Sequence, residues 1–376
     1  MPPVHLMLKP ASAGCNMRCK YCFYTDEAAS RAQGRRGVMT EETAVAAIRK
    51  TLAHAQGACT FAFQGGEPTL AGLEFYQSFF ETVRRENTKG IQVTYAFQTN
   101  GLALDEAWAD LFAANRVLVG ISLDGTEEVH DQLRPKADGT GTHAAVLRHW
   151  KMLRQAGVEC NALAVVTKQL ARNIAQTYQF FAENGIDYQQ YIPCMDPLGE
   201  ARGAHAYSLT PKEYSKFLHR LFCLWQKDLE QGKYVSVRHF DNWLSILLGH
   251  PPESCNMRGR CSVQYVMEAD GSVYPCDFYC LDRWLLGNIL QDDYPVFDRR
   301  RMELGFVEQS LPVPAECKQC EWYALCRNGC PRDRVLQHGQ SVPWNYFCQA
   351  HREFFGLHIR DLEKAARLLA EHSRRK

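Results

Sequence analysis

The chain has almost no net charge: 43 Lys and Arg stand against 42 Asp and Glu in 376 residues. That balance excludes a global basic field of the kind that draws a protein to nucleic acid or anionic lipid. No apolar run approaches the roughly 18 residues a membrane span requires, and the start lacks a basic segment followed by an apolar core and a small-residue cleavage site. The expectation is a soluble, cytoplasmic protein without a nucleic-acid or membrane partner. No internal repeat or low-complexity tract stands out. A last shortage is local. Cys15-Asn-Met-Arg-Cys19-Lys-Tyr-Cys22 offers three thiolates, and no His or further Cys stands close by as a fourth. A structural zinc knuckle needs four ligands. Three thiolates can instead hold three irons of a cubane cluster and leave the fourth iron open.

An open iron next to a Gly65-Gly66-Glu67 loop is the arrangement required to bind the amino and carboxylate groups of S-adenosylmethionine directly on a cluster. Cysteine itself is abundant, at 16 residues. Disulfides in an oxidising compartment and metal ligation in a reducing one compete to explain this. Without a signal segment, and with most Cys in short-spaced groups, ligation is favoured. Cys59, Cys160, Cys194, Cys223 and Cys280 stand alone and read as small core residues.

Up to about residue 195, β-rich segments alternate with helical patterns, the signature of repeated βα units. Strands are expected at His5–Lys9, Thr60–Gln64, Gln92–Gln98, Val117–Ser122, Glu159–Val166 and Asp187–Ile192. Thr40 caps a helix that carries Glu41 and Glu42 in its first turn and stops at Gly57. Further helices are expected at about 73–87, 105–115, 143–156 and 170–184. The fold class is α/β, a partial (β/α)6 barrel of the TIM type, open at one side. In such barrels active-site residues sit in loops after the strands. Here those loops hold the three Cys, Gly65-Gly66-Glu67-Pro68, Gln98-Thr99-Asn100-Gly101, Ser122-Leu123-Asp124-Gly125 and Pro193-Cys194-Met195-Asp196-Pro197, all on one rim. A long helix follows, with Thr210 as cap, Pro211 at its first position and Glu213 completing a capping box. The domain division expected is a barrel over 1–235, a loop-rich cysteine domain over 236–348 and a terminal helical segment over 349–376, with an amphipathic helix at Glu353–Arg374.

The second cysteine field contains Cys255, Cys261, Cys276, Cys317, Cys320, Cys326, Cys330 and Cys348. Eight Cys divide into two four-thiolate sites. One grouping joins Cys317, Cys320, Cys326 and Cys348, and assigns Cys330 to Cys255, Cys261 and Cys276, the crossing of ligands that two-cluster ferredoxins use. Two structural zincs are the alternative. A strand is expected at Ser272–Tyr274, and after it Asp277 follows the candidate ligand Cys276 directly. A carboxylate beside an anionic cluster is costly as decoration, so Asp277 is a candidate general base; a solvated turn residue is the bland alternative.

Taken together, these residues resemble the radical S-adenosylmethionine enzymes with a SPASM-type C-terminal extension, and most closely the anaerobic sulfatase-maturating enzymes. The resemblance rests on Lys9-Pro10-Ala-Ser-x-Gly14-Cys15-Asn16-x-x-Cys19-x-Tyr21-Cys22-Phe23-Tyr24, on Phe61 to Phe75 around Gln64, on Gln98 to Gly101, on Gly271 to Phe278, and on all eight late Cys. It implies S-adenosylmethionine and three [4Fe-4S] clusters as cofactors. It further implies splitting of that cofactor to a 5′-deoxyadenosyl radical and hydrogen abstraction from the β-carbon of a substrate Cys or Ser. Asp277 would then remove the thiol or hydroxyl proton and the late clusters would accept the remaining electron, giving formylglycine, reached through a thioaldehyde and its hydrolysis if the substrate is Cys. The same resemblance puts Gly65, Gly66 and Glu67 at the amino end of the cofactor, Ser122 and Arg134 at its carboxylate, and Tyr21 and the Met195 backbone at its adenosine. The partners it implies are an unfolded sulfatase peptide carrying Cys/Ser-x-Pro/Ala-x-Arg and an electron donor such as ferredoxin or flavodoxin.

Two rival functions use the same cysteines. One is another radical peptide maturase, forming a thioether, a carbon–carbon link or an epimer; Asp277 beside Cys276 favours the proton-removing oxidation over it. The other is a non-catalytic iron–sulfur electron carrier or metal scaffold, which has no need of a Gly-Gly-Glu pocket.

Overall fold

The computed structural model describes residues 3–336 and 340–374. Its six leading strands are β1 (Val4–Lys9), β2 (Ala58–Phe63), β3 (Gln92–Thr99), β4 (Val117–Ser122), β5 (Cys160–Val166) and β6 (Tyr188–Pro193). They pair in parallel in chain order. Side chains alternate across them as the period of a strand dictates. Leu6, Leu8, Phe61, Phe63, Phe97, Val119, Ile121, Ala162 and Ala164 are buried. On the concave face stand small or amide residues, with Ala62, Ala96 and Gly120 lining a cavity beside Asn161 and Gln190. A (β/α)8 barrel fills its centre with Val, Ile and Leu. This one leaves room there.

The sheet does not stop at six strands. β7 (Ser236–Val237) extends it in parallel beyond β6, and at the other edge β8 (Tyr265–Glu268) pairs in parallel with β1. β9 (Ser272–Tyr274) and β10 (Gly287–Asn288) follow antiparallel, giving ten strands whose two ends do not meet. The partial, open (β/α)6 barrel is therefore present, but the expected division at residue 235 cuts through a continuous sheet. Sequence reading expected β9, the strand at Ser272–Tyr274, but missed the continuity because β8 and β10 are four and two residues long and lie among loops.

Helix ends follow local chemistry. Thr40 accepts from the Thr43 amide, and Thr210 with Glu213 forms the full capping box. The segment expected to be one helix over 170–184 is two, Lys168–Arg172 and Ile174–Glu183. Asn173 breaks it by turning its side-chain amide back onto the Gln169 carbonyl, a local bond that competes with helix propagation. The last helix runs Cys348–Arg374, starting five residues before the expected Glu353. It packs on Pro211–Glu230 and Arg238–Leu247 through rings: Phe354 lies 5.6 Å from Phe222 and 5.0 Å from Trp243.

Candidate active site

The loop after β1 is stitched to its neighbours by backbone. The amides of Gly66 and Glu67 donate to the carbonyls of Ser12 and Gly14 at 2.8 and 2.7 Å, and on the other flank those of Arg18 and Lys20 donate to Pro135 and Leu133. Gly66 is required by this approach, since a Cβ there would lie 2.1 Å from the Gly14 carbonyl oxygen. Glu67 is fully buried, and its carboxylate accepts from the Thr69 amide and hydroxyl, the Thr99 hydroxyl and the Asn100 amide. The Glu67 side chain thus ties the loops after β2 and β3 together. Asn100 in turn donates to Asn16 at 2.8 Å and sits 3.7 Å from the Cys15 sulfur.

On the opposite side of the three Cys, the Tyr21 hydroxyl bonds the buried Asp124, and Arg134 donates to the same hydroxyl at 2.8 Å. Burial raises the proton affinity of Asp124, and Arg134 opposes it. Arg134 keeps its Nε buried without a hydrogen-bond partner, an orphaned donor beside Cys19 that suits an anionic group. Ser122 accepts from Gln98 at 3.2 Å and makes no bond to Arg134. The Met195 carbonyl faces the Cys194 thiol at 3.7 Å.

Asp277 is buried, 7 % exposed, so the solvated-turn alternative fails. Lys9, itself 1 % exposed, places Nζ 3.0 Å from Asp277 Oδ1, 3.4 Å from Glu27 and 3.9 Å from Glu268. The other oxygen, Oδ2, accepts from the Tyr24 hydroxyl at 2.7 Å and from Gln64 at 3.2 Å. Arg31 pairs with Glu268 at 2.6 Å. Two cations thus face three carboxylates. Burial, with Asp277 adding to it against Lys9, pushes the Glu27 carboxyl up to about 7. Sequence reading gave no role to Lys9, Tyr24 or Glu27. The signal available was Lys9 itself, a charge closing an otherwise largely apolar strand. Gln64 connects this cluster to the concave face, where a cavity of about 330 Å³ is lined by Gln98, Asn161, Gln190, Arg238 and Glu253.

The cysteines fall into three neighbourhoods. After burial, the dominant cause, Cys15 and Cys19 have their proton affinity raised by the other nearby thiols of the N-terminal loop. Cys276 is likewise raised by Cys330 and Cys255, and Cys330 by Cys255 and Cys261. Cys320 raises Cys317, Cys326 and Cys348 in the same way, and Cys348 raises Cys317 and Cys326. Among the described residues, no three of these sulfurs lie within 4.8 Å of each other. Four thiolates on one zinc stand about 3.8 Å apart. The wider spacing fits thiolates held on separate corners of an iron–sulfur cluster. Of the five lone cysteines, Cys59, Cys160, Cys194 and Cys280 are buried as expected, whereas Cys223 is half-exposed.

Residues 10–181 match the family model for the radical SAM superfamily. The cysteine-type anaerobic sulfatase-maturating enzyme of Clostridium novyi (strain NT) is 43% identical over 98% of this chain and 99% of its own. The serine-type anaerobic sulfatase-maturating enzyme of Bacteroides thetaiotaomicron is 31% identical, over 94% of this chain and 89% of its own. A solved structure of native anSMEcpe with bound AdoMet and Cp18Cys peptide superposes with a TM-score of 0.92 at 42% identity, covering 98% of this chain and all of that one.

Proposed function

This chain belongs to the radical SAM superfamily and, within it, to the anaerobic sulfatase-maturating enzymes, and from that membership we propose that it oxidises a cysteine of a sulfatase peptide to formylglycine. Cysteine is preferred to serine because the cysteine-type relative is the more similar, 43% against 31% identical. The observation that carries the reading is the placement of Asp277, buried on Lys9 and linked through Gln64 to the concave cavity.

S-adenosylmethionine on a reduced iron–sulfur cluster supplies, when bound, a carbon radical able to take hydrogen from an unactivated C–H bond; the protein supplies position and electrostatics. Cys15, Cys19 and Cys22 hold that cluster. Cys255, Cys261, Cys276 and Cys330 hold a second, and Cys317, Cys320, Cys326 and Cys348 a third. Gly65 and Gly66 present backbone to the amino end of the cofactor, Arg134 and Ser122 meet its carboxylate, and Tyr21 and the Met195 backbone flank its adenosine. Side-chain amides of Gln98, Asn161 and Gln190 suit the backbone of an extended peptide laid in the cavity. Lys9 fixes Asp277 Oδ1, and the substrate thiol takes the place of the longer Gln64 contact on Oδ2, where its proton is accepted; a late cluster would take up the one remaining electron, and water hydrolyses the resulting thioaldehyde to formylglycine and hydrogen sulfide. The substrate motif is Cys-x-Pro-x-Arg, the electron source a ferredoxin or flavodoxin, and the compartment the cytoplasm. No helix among the described residues is long and apolar enough to cross a membrane.

Asp277→Asn keeps shape and removes the base. Formylglycine formation should fall ~10²–10⁴-fold, the usual cost of losing a general base. Iron content and S-adenosylmethionine cleavage should persist. Near-normal product from this variant would refute the assignment, and loss of iron would show a structural role instead.

A further inference from the structure

Between the helices Pro211–Glu230 and Cys348–Arg374 lies a cluster of ligating side chains that the chemistry above does not use. His219 and Cys223, four residues apart, share one face of the first helix, and His358 reaches them from the second. His219 Nδ1 stands 2.7 Å from His358 Nε2, and His219 Nε2 stands 4.0 Å from the Cys223 sulfur. One ligand atom of each lies within 4.8 Å of the other two, and no other three Cys, His, Asp or Glu side chains among the described residues come together in this way. His358 is held between the rings of Phe222 and Phe354, at 4.7 and 5.2 Å.

We propose that His219, Cys223 and His358 form a mononuclear Zn²⁺ site, separate from the three cysteine neighbourhoods, that clips the last helix to the long helix following the barrel. Two imidazoles and one thiolate make a borderline-soft donor set of the kind zinc takes. Zn–N bonds of about 2.0–2.1 Å separate two ligand nitrogens by about 3.3 Å, so the paired rings need part by only about 0.6 Å. His219 is exposed, so water would complete the fourth position. Cys223 loses its proton on binding, as zinc-bound thiols do. The consequence reaches the cluster domain. Cys348 begins the same helix, ten residues before His358 and about 15 Å along its axis, so zinc at this site fixes the helix that presents a late ligand.

The test uses the full chain with its clusters loaded, kept anaerobic, incubated with a small excess of ZnCl₂ and desalted. Zinc and iron are counted by mass spectrometry, and the zinc environment is read by X-ray absorption. About one zinc per chain beyond the iron is expected, with nitrogen scatterers near 2.0 Å and one sulfur near 2.3 Å. His219→Gln and Cys223→Ser, at exposed and half-buried positions, should each lose that zinc while iron content and S-adenosylmethionine cleavage stay as in the parent. Zinc should also raise the thermal midpoint of the parent and not of either variant. A parent that retains no zinc overturns the proposal, leaving a plain hydrogen bond between imidazoles. Equal zinc in parent and both variants overturns it too, because the metal then sits among the other cysteines.

Discussion

Lys9 and Arg31 share a buried pocket with Glu27, Glu268 and Asp277, so one negative charge is in excess unless a carboxyl keeps its proton. Glu27 is the group that keeps it. Its carboxyl lies at about 7, raised by burial foremost, against an ordinary value near 4.3. An acid whose folded value is raised stabilises the fold fully below its unfolded value and loses that stability as pH climbs through the folded one. The contribution of Glu27 should therefore fall between about pH 4.3 and 7. Anaerobic urea unfolding of the cluster-loaded protein across pH 5 to 8 should show this decline, and Glu27→Gln should flatten it; an unchanged slope in the variant would place the proton elsewhere. Asp277 was legible in the sequence because it abuts a ligand. Lys9 was not, because its partners come from Glu27, Glu268 and Asp277, and only pairing of β8 with β1 brings the last two within reach.

At the scale of elements, the rim is held by loops that bond one another as well as by the strands beneath. Gly66 is the tightest point, with its Cα facing the Gly14 carbonyl. Gly66→Ala must push the loop after β2 off the loop carrying Cys15, although strands and helices remain. S-adenosylmethionine binding, followed by equilibrium dialysis on cluster-loaded protein, should weaken at least ~10-fold, the loss expected when a supporting contact of a metal site is removed. Unaltered binding with unaltered far-UV circular dichroism would show that the loops tolerate separation. The six parallel strands were readable because each is β-rich and each is followed by a turn and a helix. Thr210 and Glu213 announced their helix in full. β8 gave no such signal. It is short and buried on both faces, so period-2 alternation is missing from Tyr265–Glu268.

For the whole molecule, the grouping of thiols fixes the iron inventory. Three four-iron clusters require about twelve irons per chain. Replacing Cys317, Cys320, Cys326 and Cys348 together by Ala should leave about eight, since Cys330 lies with Cys255, Cys261 and Cys276. About four irons remaining would mean that Cys330 links the two late groups. Spacing in the chain made this division thinkable; the grouping of Cys223 with His219 and His358 was invisible because His358 stands far away in sequence. The central claim is that this chain converts a substrate Cys to formylglycine through hydrogen abstraction at the β-carbon. Its most direct test is anaerobic incubation of the cluster-loaded parent with S-adenosylmethionine, a reductant and a β-deuterated Cys-x-Pro-x-Arg peptide, read by mass spectrometry. The account predicts an aldehyde product and deuterium in 5′-deoxyadenosine. Cofactor cleavage with no deuterium transfer and an unaltered peptide would contradict it.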